Sequence, residues 1–345
     1  MDFEPTETRR MLRDSLSRYL TDRYPISYRN SVAYSVPFHC PERWQQLVDL
    51  GALHALIPED KGGFGGAGFD ITTLFEALGN ALCPEPFLGQ AMAARMVSGD
   101  DLEDLLDGKS RYAVALDDLG GVCTATELDG QWTLTGRKGV VYGGGLADRF
   151  VVPAHVGEDI GLFIIDSDRA EISSYGMIDG GNAAEVFLNN APARLLTLKA
   201  QKTLRDAKDI GALALCAEAI GAMDTSAAML LDYLKTRKQF DRPIGDFQVL
   251  QHRMVDLMTE IELSRSITIL AASRIGSNLQ SRVVSMAKSL VGRTATLVAE
   301  ELIQMHGGIA MTWEYPASHY AKRLVMIDHQ LGDTDHHLQR VAVAY

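Results

Sequence analysis

Between residues 111 and about 200 the chain stops reading as helix. RYAVALDDL, GQWTLTGRKGVVYG, DRFVVPAHV, DIGLFIIDS and AAEVFLNN are short runs, β-branched or alternating, punctuated by Gly, Asn and Asp. They predict a small antiparallel barrel or sandwich. On both sides of this stretch the periodicity is helical. Met11, Leu12, Leu16, Tyr19 and Leu20 fall on one helical face, and Trp44, Leu47, Val48 and Leu50 form a second such segment. A further helix is expected from about Ile71 to Leu82. After residue 200, long amphipathic segments near 205–237, 247–276 and 279–306 suit an antiparallel four-helix-type bundle with short connections. Gly307 and Gly308 end the third of them as glycine caps do. One shorter helix is expected after Pro316 and another over His337 to Ala344. The expected architecture is multi-domain α+β: an N-terminal helical domain (1–110), a middle β-domain (111–200) and a C-terminal helical bundle (201–345).

Composition narrows the function classes. The chain has 345 residues, 46% hydrophobic and 23% charged, and mean hydropathy is −0.02. No run of eighteen apolar residues exists, so no membrane span is expected. The amphipathic start MDFEPTETRRMLRDSL lacks the apolar core of a secretory signal, and its acidic residues argue against a transit peptide. A net charge of −12 disfavours nucleic acid as a partner. Cys40, Cys83, Cys123 and Cys216 are widely spaced and form no CxxC pair, so neither zinc nor a disulfide scaffold is expected. A reducing cytoplasm fits this usage. The loop KGGFGGAG (61–68) has no strand before it and reads as a surface loop, not a phosphate loop.

The stretch RKQFDRPIGDFQVLQ (237–251) carries the most chemistry. Arg237 supplies a planar cationic fork suited to a bidentate grip on a diphosphate. Phe240 and Phe247 bracket the loop with apolar rings. Gln248 and Gln251 offer amide donors and acceptors. Pro243 and Gly245 are expected to make the turn between two helices.

The pattern Arg-x-x-Phe-x-x-x-Ile-x-x-Phe-Gln-x-x-Gln resembles the flavin-binding signature of the acyl-CoA dehydrogenase family. Three further segments add to the resemblance: WQQLVDLGALHALIPEDKGGFGG, WTLTGRKGVVYGGGLADRFVVPA and QMHGGIAMTWEYPASHYAKRL. Their order covers nearly the whole chain. The resemblance implies FAD as cofactor, held at a subunit interface. It places Arg237 and Gln239 on the diphosphate and Phe240 against the cofactor, with Ile244, Phe247 and Gln248 completing that segment. Gln304, Gly307 and Gly308 match the second contact segment.

Other family features are missing. The Thr-Glu-Pro-x-x-Gly-Ser-Asp stretch beside the flavin ring is replaced by VALDDLGGVCTATELDG (114–130). Trp-Ile-Thr is replaced by Val140, Val141 and Tyr142. The reaction removes a proton α to a thioester and needs a carboxylate in a dry pocket. Counting back from Arg340 puts Asp333 on the base position, whereas counting forward from Pro316 puts Leu331 there. Asp is shorter than Glu by roughly 1.5 Å, a misplacement that can cost ~100-fold in rate. The alternative base position, at the start of the first bundle helix, is Gly211. Asp209 and Glu218 read as structural. His336 and His337, next to Asp333 and Asp335, lack metal-ligand spacing.

This asymmetry implies the smaller subunit of a heteromeric acyl-CoA dehydrogenase such as the pimeloyl-CoA or steroid side-chain enzymes. A larger catalytic subunit is then the expected partner, an acyl-CoA the substrate and an electron-transfer flavoprotein the acceptor. Two alternatives stay open: a homo-oligomeric dehydrogenase using Asp333, and a non-catalytic structural or acyl-CoA-binding member of the fold.

Overall fold

A computed structural model describes residues 6–343. Its N-terminal helices are α1 (Glu7–Arg23), α2 (Ile26–Ala33), α3 (Pro41–Asp49), α4 (Gly68–Asn80), α5 (Phe87–Ala93) and α6 (Asp100–Leu106). Strands follow: β1 (Tyr112–Val114), β2 (Asp117–Asp118), β3 (Thr124–Leu128), β4 (Gln131–Tyr142), β5 (Arg149–Val156), β6 (Asp159–Asp166), β7 (Glu171–Gly176) and β8 (Asn182–Thr197). Helices α7 (Gln201–Thr236), α8 (Gln248–Ser273), α9 (Gln280–His306), α10 (Ala317–His329) and α11 (Thr334–Val343) complete the chain. The last helix begins three residues before the expected His337, and Ala344 lies outside the described residues.

The chain forms two compact units, one of residues 1–29, 67–83 and 212–345, the other of residues 30–66 and 84–211. The N-terminal helical segment is therefore divided between them.

In the second unit the strands run in the order β2-β4-β3-β5-β6-β8-β7, and β4 also pairs with β8. That pairing closes β3, β4, β5, β6 and β8 into a ring. Phe150, Val152, Phe163, Val186 and Leu188 fill it. The sheet is not wholly antiparallel, because β1 and β3 both run parallel to β5. The glycine loop before α4 is tightly packed. The N–H groups of Gly63, Phe64, Gly65 and Gly66 donate to the carbonyls of Pro58, His54, Ile57 and Ala55. Its donors are thus used within the chain, as a surface loop requires and a phosphate loop does not allow.

In the first unit, α9 packs on α8, α10 and α11, and α4 on α1 and α8. Leu12, Leu16 and Leu20 of α1 are buried. Met11 is 65% exposed, because it flanks the buried 12–16–20 ridge. Leu50 in the other unit is likewise exposed, as it caps the end of α3 instead of continuing its buried face.

Helix α4 crosses α7 with backbone against backbone. A Cβ on Gly79 would fall on the Glu218 carbonyl, and one on Gly221 on the Glu76 carbonyl. Hydrogen bonds tie the same crossing. Thr225 Oγ1 donates to the Asn80 carbonyl at 3.2 Å, and Tyr320 Oη donates there at 2.5 Å. Arg323 holds Glu218 with two bonds of 2.7 and 2.8 Å, so Glu218 is structural, as its sequence context implies. Helix α7 alone among the described helices is long and apolar enough to cross a membrane, and 72% of that window is buried in the fold.

Gly221→Ala is expected to lower folding stability by roughly 3 kcal/mol through overpacking. Urea unfolding followed by circular dichroism checks this, and Ala228→Gly at an exposed position of the same helix is the control for helix propensity, costing only about 1 kcal/mol.

Candidate functional site

Helix α7 ends where Arg237 begins. The Arg237 N–H makes one last helical bond to the Tyr233 carbonyl at 2.8 Å. The chain then forms a two-stranded antiparallel hairpin of β9 (Lys238–Gln239) and β10 (Arg242–Pro243). Its two-residue loop is Phe240–Asp241, with φ of 53° and 64°. Both residues are left-handed, as a hairpin turn matching strand twist requires. Neither is glycine, so each costs on the order of 1 kcal/mol. The bend expected at Pro243 and Gly245 is therefore made earlier. Pro243 ends β10, and Gly245 sits in a short 3-10 turn, Ile244–Asp246, against the Leu234 carbonyl.

The register decides which side chains meet. Arg242 lies opposite Gln239, and the Ile244 N–H donates to the Arg237 carbonyl at 2.8 Å. Opposed and alternate residues of a hairpin share a face. Arg237, Gln239, Arg242 and Ile244 therefore line one face, with Lys238 on the other. The Phe240 ring is 86% exposed and meets Phe247 edge-on at 6.2 Å. The Arg242 guanidinium lies 4.2 Å above the Phe247 ring. Gln248 is the exposed first residue of α8, and Gln251 Nε2 donates to the Gly245 carbonyl at 2.8 Å. Among the described residues, no carboxylate pairs with Arg237, Lys238 or Arg242. The chain carries 45 acidic residues against 33 Lys and Arg, so three unpaired cations in six positions are a marked local excess.

The second segment ends α9. Gln304 is exposed there, Gly307 caps the helix with φ 70°, and Gly308 follows. Nothing lies within 4 Å of the place a Cβ would occupy on either glycine. Open space above bare backbone suits a group that must approach closely. Two contacts bring this end of α9 to the hairpin. The His306 ring lies 4.6 Å from that of Tyr233, and Arg253 of α8 grips Glu301 of α9 with two bonds of 2.8 Å. His306 Nδ1 donates to the Leu302 carbonyl, and burial lowers its pKa. Unpaired cations, an exposed aromatic ring and open backbone at one end of a bundle fit the diphosphate and ring of a nucleotide cofactor.

Asp333 is not brought to this end. Its carboxylate accepts the His336 N–H at 2.8 Å as the cap of α11, and that bond is the main cause of its lowered pKa. The side chain is exposed, not in a dry pocket. Its turn is anchored by Lys288 Nζ, which donates to the carbonyls of Asp328 and Gly332, both at 2.8 Å. Lys288 and Gln304 are sixteen residues apart on α9, or about 24 Å along its axis. Thr334 donates to Asp328 Oδ1, and His337 Nε2 donates to the Leu331 carbonyl. His337 is fully buried, and burial pushes its pKa down to about 3. His336 and His337 pack edge-on, and the described residues hold no group of three potential metal ligands.

The β-domain region that replaces the family's flavin-ring motifs lacks comparable features. Asp118 accepts from Lys138 Nζ at 2.7 Å and from the Cys123 N–H at 3.2 Å, so it is engaged within the fold. Leu119, Val122 and Val140 stand exposed. Val140 keeps a left-handed φ of 46° at a register shift between β4 and β8, an outlier for a β-branched residue. These side chains do not fit a hydrogen-bonded cofactor ring.

Helical segments before and after a closed β-domain, with a cationic hairpin at one end of a bundle, define an α+β protein with a candidate site for a nucleotide cofactor. Two family profiles agree, the acyl-CoA dehydrogenase N-terminal domain over residues 6–98 and its C-terminal domain over residues 203–344. The chain belongs to the acyl-CoA dehydrogenase family. It is 29% identical to acyl-CoA dehydrogenase IpdE2 of Mycobacterium tuberculosis, over 92% of this chain and 91% of that one. It is 28% identical to IpdE2 of Mycolicibacterium smegmatis, over 97% and 98%. Among solved structures it superposes on the ChsE4–ChsE5 complex of Mycobacterium tuberculosis with a TM-score of 0.93 at 24% identity, covering 99% and 98%. A steroid ACAD, Tcur3481–Tcur3483, gives a TM-score of 0.89 at 27% identity, covering 98% and 97%.

Asp241→Gly is expected to raise stability by roughly 0.5–1 kcal/mol by removing left-handed strain, read as a higher urea midpoint. The buried His337 generates a pH dependence. Its folded pKa lies below the unfolded value of 6.5, so its contribution is present above pH 6.5 and is lost as pH falls toward about 3. At pH 5 the loss is about 2 kcal/mol. Urea melts at pH 7 and pH 5 are expected to show this loss in the native chain and not in His337→Leu.

Proposed function

We propose that the chain is the reduced subunit of a heteromeric, FAD-dependent acyl-CoA dehydrogenase, lending cofactor contacts to a larger catalytic partner. The observation that carries this reading is the unpaired cationic face of Arg237, Gln239 and Arg242 beside an exposed Phe240. Among the described residues no carboxylate pairs with these cations, which leaves them free to take an anionic ligand. Arg237 and Gln239 hold the diphosphate, Phe240 covers the cofactor, and the backbone at Gly307 and Gly308 lets it approach beside Gln304. FAD, when bound, supplies the hydride acceptor for α,β-desaturation of an acyl thioester. The partner supplies the base that takes the α-proton.

The engagement of Asp333 as a helix cap weighs against a self-sufficient enzyme using it as base. A lowered pKa and an exposed side chain suit a cap and not a proton acceptor in a dry pocket. The complex named in the ChsE4–ChsE5 structure and the steroid ACAD likeness support a two-chain assembly. Acyl thioesters of fatty-acid or steroid side-chain type are the proposed substrates. An electron-transfer flavoprotein is the proposed acceptor and the cytoplasm the proposed compartment.

Purified alone, the chain is expected to be nearly colourless and inactive. Co-expressed with a longer acyl-CoA dehydrogenase subunit, it is expected to give a yellow, active complex. Full flavin occupancy and turnover in the solo preparation would sink the proposal. Arg237→Ala is expected to strip flavin from the complex even though the catalytic carboxylate is on the partner. The flavin absorbance retained after gel filtration measures this.

A further inference from the structure

We infer that Arg242 is a second cationic contact to the cofactor's diphosphate, and that with Arg237 it makes this hairpin prefer FAD over FMN. The inference rests on the reading that the hairpin serves a flavin. Pairing places Arg242 opposite Gln239, on the face that also carries Arg237. A diphosphate bears a negative charge on each of two phosphorus centres, and one guanidinium cannot pair with both in bidentate fashion. Arg242 has the free charge for the second centre, because no described carboxylate holds it.

Its geometry is set in advance. The guanidinium lies 4.2 Å above the Phe247 ring, and Phe240 meets the same ring edge-on at 6.2 Å. Stacking uses the face of the guanidinium and leaves its N–H edge free for an oxyanion. Phe247 is held in turn, since its N–H donates to the Ile244 carbonyl at 3.1 Å. Arg242 is therefore positioned before any ligand arrives, which lowers the entropy cost of binding. Lys238 lies on the opposite face of the hairpin and takes no part.

The test measures FAD and FMN dissociation constants of the complex with its larger subunit. It compares the native chain with Arg242→Gln, Arg242→Ala and Arg237→Ala. Gln keeps a planar polar group and removes the charge together with the guanidinium's extra donors and reach. Arg242→Gln is expected to weaken FAD about tenfold, to leave FMN within about twofold, and to leave the melting temperature of the flavin-free chain within a degree or so of the native one. Arg242→Ala is expected to act in the same direction. If Arg242→Gln leaves FAD affinity intact while Arg237→Ala strips the flavin, the Arg242 assignment fails and the subunit reading stands. If Arg242→Gln weakens FAD and FMN equally, Arg242 does not touch the second phosphate and the assignment also fails. If neither Arg237→Ala nor Arg242→Gln changes FAD affinity, the reading of the hairpin as a flavin contact falls with it.

Discussion

The bundle depends on two glycines that let α4 lie directly on α7. At Gly79 and Gly221 a side chain would occupy space filled by the facing backbone. The same approach recurs at the start of α4, where Gly68 lies against the Ala272 carbonyl of α8. Close crossings leave little room for water, so the polar groups between the helices must find one another. Most do. Arg265 is held by Asp224 at 2.6 Å and Arg9 by Asp70 at 2.6 Å. Glu76 shows the cost of being so enclosed. Burial pushes its pKa up to about 7, against the pull of Arg265.

That tightness contrasts with the open backbone at Gly307 and Gly308. Along α9, the Lys288 end is closed by hydrogen bonds: its ammonium, the Asp328 carboxylate, Thr334 and His337 Nε2 all find partners in the turn before α11. The Gln304 end stops at two bare glycines beside a hairpin of unpaired cations. In a chain of net charge −12, the lack of any carboxylate partner for Arg237, Lys238 and Arg242 among the described residues forgoes available stabilisation. Strained left-handed residues at Phe240 and Asp241 compound that cost. Such features persist where a second molecule completes the structure.

Much of this was legible in sequence, for identifiable reasons. The change from helical to alternating periodicity near residues 111 and 200 follows from backbone geometry alone, and β1 and α7 begin at Tyr112 and Gln201. The chemical types in 237–251 pointed to an anion. Closure of the β-domain was hidden, because the β4–β8 pairing joins residues some fifty apart in sequence. The fate of Asp333 was hidden for a different reason. A carboxylate immediately before a helix reads as a base or as a cap, and only the His336 N–H distinguishes them. Arg242 went unnoticed because its partner on the face, Gln239, is identified by hairpin register, which depends on where the bend falls. Reading Pro243 and Gly245 as the bend concealed it.

The placement of the bend therefore carries more than local geometry. A turn at Pro243 would leave Arg237 and Arg242 on a loop with no fixed relation. A two-residue hairpin turn at Phe240–Asp241 puts both cations and Gln239 on one face and drives the Phe240 ring into solvent. The conformational cost is concentrated in two residues, and in return the charges are fixed before binding. On an isolated chain this arrangement is only destabilising: like charges lie close together, and an apolar ring faces water. It becomes favourable when an anionic, planar ligand neutralises the charges and covers the ring. Strain and unmatched charge gathered on one face are thus what a fold shows where it is prepared for an anionic ligand.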